Sequence, residues 1–169
     1  MTPLAAHELV DVIDDAGNTV GVVTRREMRL NRLPHRCTYV LVFNTRGELF
    51  IHQRTPIKDV YPSYWDICVG GVLAAGETFD QGVLREIQEE IGVEAQVESL
   101  FPFHFNDART IVQGMVYKTT HDGPFRLQPE EIVAGEFASV ADVLRRTTSV
   151  PFCPDGVEVL KRYLALGSA

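Results

Sequence analysis

Cysteine is scarce in this sequence, and the pattern of its cysteines matches no common site. Among 169 residues there are three, Cys37, Cys68 and Cys153, and no two of them form a Cys-X-X-Cys pair. An odd number of widely spaced cysteines indicates neither a disulfide framework nor a zinc site. We therefore interpret all three as small buried residues of a protein in a reducing compartment.

Long hydrophobic runs are also lacking. No apolar stretch approaches the roughly 20 residues that a membrane-spanning helix needs, which argues against a membrane partner. The first residues, "MTPLAAHELVDVID", show neither the basic nor the apolar region of a signal peptide. These absences predict a cytoplasmic protein.

Basic residues are outnumbered by acidic ones. Sixteen lysines and arginines against twenty-three aspartates and glutamates give a formal net charge of −7. A nucleic-acid polymer is a poor candidate partner, because binding its phosphates requires a basic surface. Small anionic ligands stay compatible with the sequence, through local basic groups or a metal ion. The length predicts a single domain over residues 1–169.

The order of predicted elements indicates a mixed α/β fold. Within residues 1–35, "HELVDVID" and "TVGVVTR" flank the turn "DAGN" and predict an N-terminal hairpin, followed by the polar segment "REMRLNRLPHR". "TYVLVF" and "ELFIHQR" predict a second hairpin, and "TPIKDVYPSYW" a loop. Further strands are expected in "QVESLFPFHF", "TIVQGMVYKTT" and "GEFASV". Ser139 is expected to begin a helix through about Arg146, and Asp155 to cap a final helix.

A run of acidic residues lies on the most clearly defined helix. Thr78 and Gln81 have capping-box spacing and Gly92 suits a helix end, which predicts a helix from Phe79 to Ile91. Val83, Ile87 and Ile91 would bury one stripe of it. Glu86, Glu89 and Glu90 are neighbours at i, i+3 and i+4, where like charges cost about 0.2–0.5 kcal/mol each. A bound divalent cation, Mg²⁺ or Mn²⁺, would explain the cluster; a solvated acidic face is the alternative.

The spacing around that helix resembles a known signature. Gly71 is followed after five residues by Glu77, and after seven more by "REIQEEIGV" from Arg85 to Val93. Residues 71–93 thus resemble the box of the Nudix hydrolases at every defined position. The resemblance implies the Nudix fold, an α/β/α sandwich with a mixed β-sheet, from about Arg36 onward. It also implies hydrolysis of a nucleoside diphosphate linked to another moiety, or of a related organic diphosphate.

The resemblance implies roles for particular residues. Glu86, Glu89, Glu90 and the carbonyl of Gly70 would bind Mg²⁺, with Mn²⁺ as a substitute. Arg85 would hold the preceding loop through Glu77, or would instead pair with Glu89 on the surface. Nudix enzymes often use a further base outside the box. Glu131 in "QPEEIVAGEF" is a candidate for it, Glu130 competes with it, and Glu86 is the base if neither acts.

The residues before the box resemble one branch of the family. "HRCTYVLVFNTRGELFIHQRTPIKDVYPSYWDICVGG" is similar to isopentenyl-diphosphate isomerases and the hydrolases closest to them. The catalytic cysteine and histidine of the isomerases would fall at Gly70 and Val72. Two further metal ligands would fall at Gln113 and Met115, so that only His35 of that metal set remains. The comparison favours a hydrolase over an isomerase.

Substrate contacts are implied by the same branch. Arg54 and Lys58 fall where isomerases contact their diphosphate, although as isolated residues they read as solvated loop charges. Several aromatic residues near them are more typical of a core than of a stacking surface. The expected partner is a small-molecule diphosphate, and the sequence leaves open a homodimer. A catalytically silent Nudix module that senses a nucleotide is the remaining alternative.

Overall fold

The computed structural model describes residues 3–167, so residues 1, 2, 168 and 169 of the predicted domain lie outside the described part. The described chain contains eight strands: β1 (Leu9–Ile13), β2 (Thr19–Thr24), β3 (His35–Phe43), β4 (Leu49–Arg54), β5 (Trp65–Asp66), β6 (Glu98–Asn106), β7 (Ile111–Thr120) and β8 (Ile132–Ala138). It also contains five helices: α1 (Pro3–Ala6), α2 (Arg25–Leu30), α3 (Phe79–Ile91), α4 (Val140–Arg146) and α5 (Pro154–Leu166).

The N-terminal hairpin is confirmed. Strands β1 and β2 pair antiparallel as a separate two-stranded sheet. The polar segment after it contains α2, a helix that the sequence did not predict. The side chain of Thr24 caps this helix by accepting a hydrogen bond from the Glu27 amide, and Met28 is buried beneath it. A single buried residue in six gives no periodic signal, which is why the helix was missed.

The main sheet is mixed. Its order is β5-β4-β3-β7-β6, and β8 pairs with β4. Strands β3 and β7 run parallel along their length, whereas the other named pairs of the described sheet are antiparallel. The predicted hairpin of β3 and β4 closes through the pair Phe43 and Leu49. Beyond that pair the two strands separate, and β4 pairs with β8 instead.

Helices cover both faces of this sheet. Alternate residues of β3 point to opposite sides. Val40 and Val42 pack with Val83 and Ile87 of α3. Tyr39 and Leu41 pack in the other layer, which includes Val143 of α4 and Val159 and Leu160 of α5. The predicted α/β/α sandwich is therefore confirmed. The three cysteines are buried, also as predicted.

Local signals predicted both ends of α3 correctly, and they predicted α5 but misplaced its start. Both hydrogen bonds of the capping box at Thr78 and Gln81 are present, and Gly92 adopts a left-handed conformation with φ 71°. The expectation that Asp155 caps the last helix is wrong. Pro154 starts the helix two residues earlier than that cap would allow, and the N-cap residue is Cys153. Asp155 therefore lies inside the first turn and accepts a hydrogen bond from the Tyr39 hydroxyl.

The loop that leads to α3 is attached to β3. Val69 bridges to Val40, and the Thr38 amide donates to the Gly71 carbonyl at 2.9 Å. Between these contacts Gly70 has φ 139°, and a Cβ there would lie 2.3 Å from the Thr38 carbonyl oxygen. Only glycine can occupy this position without displacing the backbone. The close approach fixes the loop beside α3. In the described part of the chain, no helix has the length and apolar character to cross a membrane.

Candidate active site

The acidic residues of α3 line a cleft that other elements close. This acidic cavity, of about 420 Å³, lies between α3, the segment before β8 and the N-terminal elements. Its walls include Glu8, Arg25, Lys58, Gly71, Arg85, Glu86, Glu89, Glu90, Glu130 and Glu131. The predicted base Glu131 and its competitor Glu130 are thus brought to the same cleft as the three glutamates of the box.

Two of these glutamates are buried. Glu86 is 8% exposed and Glu90 is 4% exposed, whereas Glu89 reaches solvent. Burial raises the pKa of Glu90 to about 7; Lys58 opposes this shift and Glu86 reinforces it. Burial also raises the pKa of Glu86, against the effect of Arg85. Two carboxyl groups that repel each other while removed from water favour a cation between them.

Arg85 holds the loop and the helix together. Its guanidinium donates two hydrogen bonds of 2.8 Å to the two oxygens of Glu77. It also donates to Glu86 at 2.8 Å and to Glu89 at 3.0 Å. The two contacts that the sequence offered as alternatives, with Glu77 and with Glu89, are therefore both present. A planar guanidinium suits this role, because it can bind several carboxylates in fixed directions.

Lys58 and Glu131 form an ion pair across the cavity wall. Nearby, the Thr55 amide donates to the Glu131 carbonyl at 3.0 Å, and the Thr55 hydroxyl to the Glu130 carbonyl at 3.0 Å. Burial lowers the pKa of Lys58 to about 8, and the charge of Arg54 acts in the same direction. One predicted substrate contact and one predicted base are thus partners in this structure.

A second, much smaller cavity, of about 70 Å³, adjoins the first. This inner cavity shares Arg25, Lys58 and Gly71 with the acidic cavity. Arg54 lines it and donates to Asp66 at 3.2 Å and to the Val60 carbonyl at 3.0 Å. Both predicted phosphate contacts are therefore partly buried and paired with a carboxylate.

Sequence reasoning missed two further cations of the inner cavity. Arg25 and Arg29, both on α2, share the carboxylate of Asp59 at 3.8 and 3.0 Å. Burial alone would raise the pKa of Asp59, but the two guanidinium groups hold it well below its usual range. Their spacing of four residues was the available signal, since i and i+4 side chains share a helix face. A spacing of four residues places two side chains on one face only if the segment is a helix, and the sequence did not predict α2.

His35, the remaining residue of the isomerase metal set, has protein partners at both ring nitrogens. Its Nδ1 lies 2.9 Å from the Leu33 carbonyl and its Nε2 lies 3.2 Å from a nitrogen of Arg29. Burial, assisted by the charge of Arg29, lowers its pKa to about 3. The Gln113 amide donates to the Asp14 carbonyl at 3.1 Å. A cationic guanidinium against the histidine disfavours a metal ion at this position.

The carboxylates of the acidic cavity suit a hard divalent cation in their chemistry. Such ions prefer oxygen ligands, and three glutamates of one helix meet that preference. Within residues 3–167, no three histidine, cysteine or acidic side chains are yet grouped closely enough to hold a metal ion. Glu86 accepts a hydrogen bond from Arg85, and Glu90 accepts one from the Gly70 amide at 3.2 Å. The oxygen ligands fit a hard divalent cation in their chemistry, and in this structure they are engaged in these hydrogen bonds.

Comparison with known proteins agrees with the geometry of the site. The sequence profile of the NUDIX domain matches residues 33–155. An uncharacterized Nudix hydrolase from Pseudomonas aeruginosa is 36% identical over 158 residues, covering 93% of this chain and 94% of the relative. The chain belongs to the Nudix hydrolase family. It is an enzyme that hydrolyses phosphorus-containing anhydrides, and the family generally depends on divalent metal cations.

Solved structures show the same fold. The crystal structure of DR0079 from Deinococcus radiodurans superposes with a TM-score of 0.80 at 27% identity, covering 92% of this chain and 98% of that one. The NUDIX domain of NrtR from Shewanella oneidensis, in complex with ADP-ribose, gives a TM-score of 0.64 at 19% identity, with 85% and 98% covered. The second likeness concerns the fold alone.

The neutral state of His35 predicts a pH dependence of stability. Its folded pKa, about 3, lies below the ordinary value of 6.5, so the unfolded chain binds the extra proton first as the pH falls. Stability supplied by neutral His35 is therefore complete above pH 6.5 and decreases below it. Relative to His35→Gln, the wild type should lose about 2 kcal/mol of unfolding free energy between pH 8 and pH 5. Urea unfolding of both proteins at both pH values measures this. A constant difference between the two proteins would show that burial does not lower the pKa of His35.

Proposed function

We propose that this chain is a magnesium-dependent hydrolase that cleaves the diphosphate of a nucleoside diphosphate linked to another moiety, or of a related organic diphosphate. The observation that carries the proposal is the pair of buried carboxyl groups, Glu86 and Glu90, at the wall of the acidic cavity. Their repulsion is compensated only in part by the neighbouring cations, which leaves them suited to a divalent ion.

The proposed metal ligands are Glu86, Glu89, Glu90 and the carbonyl of Gly70. Mg²⁺ is the expected ion and Mn²⁺ a substitute, since both prefer carboxylate and carbonyl oxygens. When bound, such an ion supplies charge neutralisation at the diphosphate and activates the attacking water. The role of Arg85 is positioning: through Glu77 it fixes the loop that carries Gly70 and Gly71 against α3.

The proposed base is Glu131. Its carboxylate lines the same cavity as the glutamates of α3 and is paired with Lys58. A carboxylate in that cavity can accept a proton from a water molecule bound there. Glu86 is the competing candidate, because its buried carboxyl already has a raised pKa.

Arg54 and Lys58 are the proposed phosphate contacts. Both line the inner cavity, and Lys58 also lines the acidic one, so a diphosphate at the junction would lie within their reach. Each is already paired with a carboxylate, which lowers its net attraction for an anion. We therefore expect them to orient phosphate oxygens by hydrogen bonds more than to attract the substrate over a distance.

Two alternatives find less support. An isomerase would need a cysteine and a histidine where this chain has Gly70 and Val72, and the contact between His35 and Arg29 opposes a metal ion there. A silent nucleotide-sensing module would not need the complete set of carboxylates that lines the acidic cavity.

The first test is a screen for diphosphate cleavage with Mg²⁺ and with Mn²⁺, in which the phosphorylated products are separated by chromatography and identified. The substrates are nucleotide sugars, dinucleotides, nucleoside di- and triphosphates, coenzyme A and thiamine diphosphate. On the best substrate, Glu90→Gln should raise the metal concentration needed and lower turnover by roughly a hundredfold or more, because one buried ligand oxygen loses its charge. Glu94→Gln is the matched control, since Glu94 is exposed just beyond α3. Wild-type turnover of Glu90→Gln at limiting magnesium would contradict the metal assignment.

A second test separates the candidate bases. Glu131→Gln should lower turnover about a hundredfold across the pH range, whereas Glu130→Gln, on the adjacent residue of the same wall, should change it little. Steady-state rates from pH 6 to pH 10 measure both. Equal and small effects of the two substitutions would remove Glu131 from the role and leave Glu86 as the base.

A further inference from the structure

The two adjoining cavities differ in size. The acidic cavity has about 420 Å³ of space and the inner cavity about 70 Å³. A buried water molecule needs about 10–15 Å³ of such space, so the inner cavity holds roughly five water molecules. A phosphate group fits there, whereas a sugar ring or a nucleoside does not. Only the acidic cavity has room for the organic part of a substrate.

The two cavities also differ in charge. Among the described residues, four cations line the inner cavity against two carboxyl groups: Arg25, Arg29, Arg54 and Lys58 against Asp66 and Asp155. In the same part of the chain, six glutamates line the acidic cavity against three cations: Glu8, Glu86, Glu89, Glu90, Glu130 and Glu131 against Arg25, Lys58 and Arg85. A phosphate group is therefore attracted to the inner cavity and, without a bound cation, repelled by the acidic one.

The cations of the inner cavity come from two separate segments. Arg54 and Lys58 belong to β4 and the loop after it, and Arg25 and Arg29 belong to α2. Asp59 neutralises part of the charge of α2, because both arginines contact its carboxylate, at 3.8 and 3.0 Å. Even with Asp59 included, the cations of this region outnumber its carboxyl groups by four to three.

These four side chains stay accessible and have donors for a further partner. Between 11% and 16% of the surface of each side chain is exposed. A guanidinium has five N–H donors and an ammonium three, so a carboxylate partner leaves donors for another acceptor. Charged hydrogen bonds from such groups to phosphate oxygens are short and strong. The small volume, the positive charge and the donors together match a phosphate group.

We propose that the inner cavity binds an unsubstituted terminal phosphate of the substrate, and that the organic part extends outward through the acidic cavity. Arg25, Lys58 and Gly71 line both cavities, so the diphosphate can pass from one to the other there. The inference rests on the proposed function and selects one substrate class within it, the organic diphosphates and triphosphates with a free phosphate end. Diphosphates esterified at both ends, such as nucleotide sugars and dinucleotides, are excluded by the size of the inner cavity.

Hydrolysis of such a substrate needs water as its one co-reactant. The oxygen of the water forms a bond to a phosphorus atom of the anhydride, and the bond from that phosphorus to the bridging oxygen breaks. The bridging oxygen leaves with the electron pair and takes up a proton in place of the one that the water loses. For a diphosphate the products are inorganic phosphate and an organic monophosphate.

The test compares adenosine diphosphate with ADP-ribose, which is the same nucleotide with its terminal phosphate esterified to ribose. Isothermal titration calorimetry with a chelator present measures binding without hydrolysis. The wild type should bind adenosine diphosphate at least about tenfold more tightly, because its free phosphate enters the inner cavity and the substituted one does not. Inorganic pyrophosphate, which has no organic part, should compete with adenosine diphosphate.

Substitutions in α2 connect this preference to the inner cavity. Arg29→Gln should weaken binding of adenosine diphosphate by about tenfold to a hundredfold, as expected for a lost charged hydrogen bond. Binding of ADP-ribose should change less than about twofold. Arg29→Lys keeps the charge and loses the forked geometry, so its loss should be smaller and again confined to adenosine diphosphate. This second variant decides the question if Arg29→Gln does not fold.

Arg145→Gln is the matched control, because Arg145 is an exposed arginine of α4 outside both cavities. It removes the same charge and should change neither affinity. Three results would overturn the inference: wild-type binding of ADP-ribose that is as tight as that of adenosine diphosphate, no measurable binding of adenosine diphosphate or pyrophosphate, and equal losses for both nucleotides in the Arg29 variants.

The result is separable from the proposed function. If the wild type cleaves a diphosphate with magnesium but shows no preference for a free terminal phosphate, the inference fails and the hydrolase stands. If no substrate is cleaved and the preference for adenosine diphosphate still depends on Arg29, the hydrolase proposal fails and the phosphate site stands.

Discussion

The burial of Glu86 and Glu90 on one side of α3 is the constraint from which the rest of the site follows. A buried carboxylate is expensive unless it is paired, and two adjacent ones repel each other as well. Three groups compensate part of this cost: the Arg85 guanidinium at Glu86, the Gly70 amide at Glu90 and the charge of Lys58 near Glu90. The compensation is incomplete, since the pKa of each carboxyl stays raised. Some repulsion between the two carboxyl groups therefore remains, and a divalent cation bound in the acidic cavity would relieve it.

This constraint also explains why the backbone beside α3 is so closely specified. The loop must approach the helix closely enough for its amide to reach Glu90, and it does so because Gly70 lies against the Thr38 carbonyl. The N-terminal hairpin and α2 add a second layer. They deliver Arg25 to the junction of the two cavities from outside residues 33–155, the range that the NUDIX domain profile matches. Residues of the extension thus contribute to the wall of the candidate site.

Local sequence signals predicted what local physics determines. Thr78, Gln81 and Gly92 placed both ends of α3, because capping hydrogen bonds and a left-handed residue act within a few positions. The mixed sheet followed from the family resemblance. The burial of Glu86 and Glu90 could not be predicted, since a pattern of apolar residues treats every glutamate as exposed. The pairing of Lys58 with Glu131 joins residues far apart in sequence and has no local signal. Asp155 was misassigned because aspartate is favoured both as an N-cap and inside the first turn, and Pro154 before it decides for the first turn.

The central claim is that the acidic cavity directs water to a diphosphate. The most direct measurement is a single reaction in ¹⁸O-enriched water with magnesium, followed by mass spectrometry of the products. Hydrolysis must place one solvent oxygen on a phosphate product, and Glu90→Gln should slow this incorporation together with product formation. Migration of a double bond in isopentenyl diphosphate without phosphate release, and without incorporation of label into phosphate, would contradict the account and favour an isomerase.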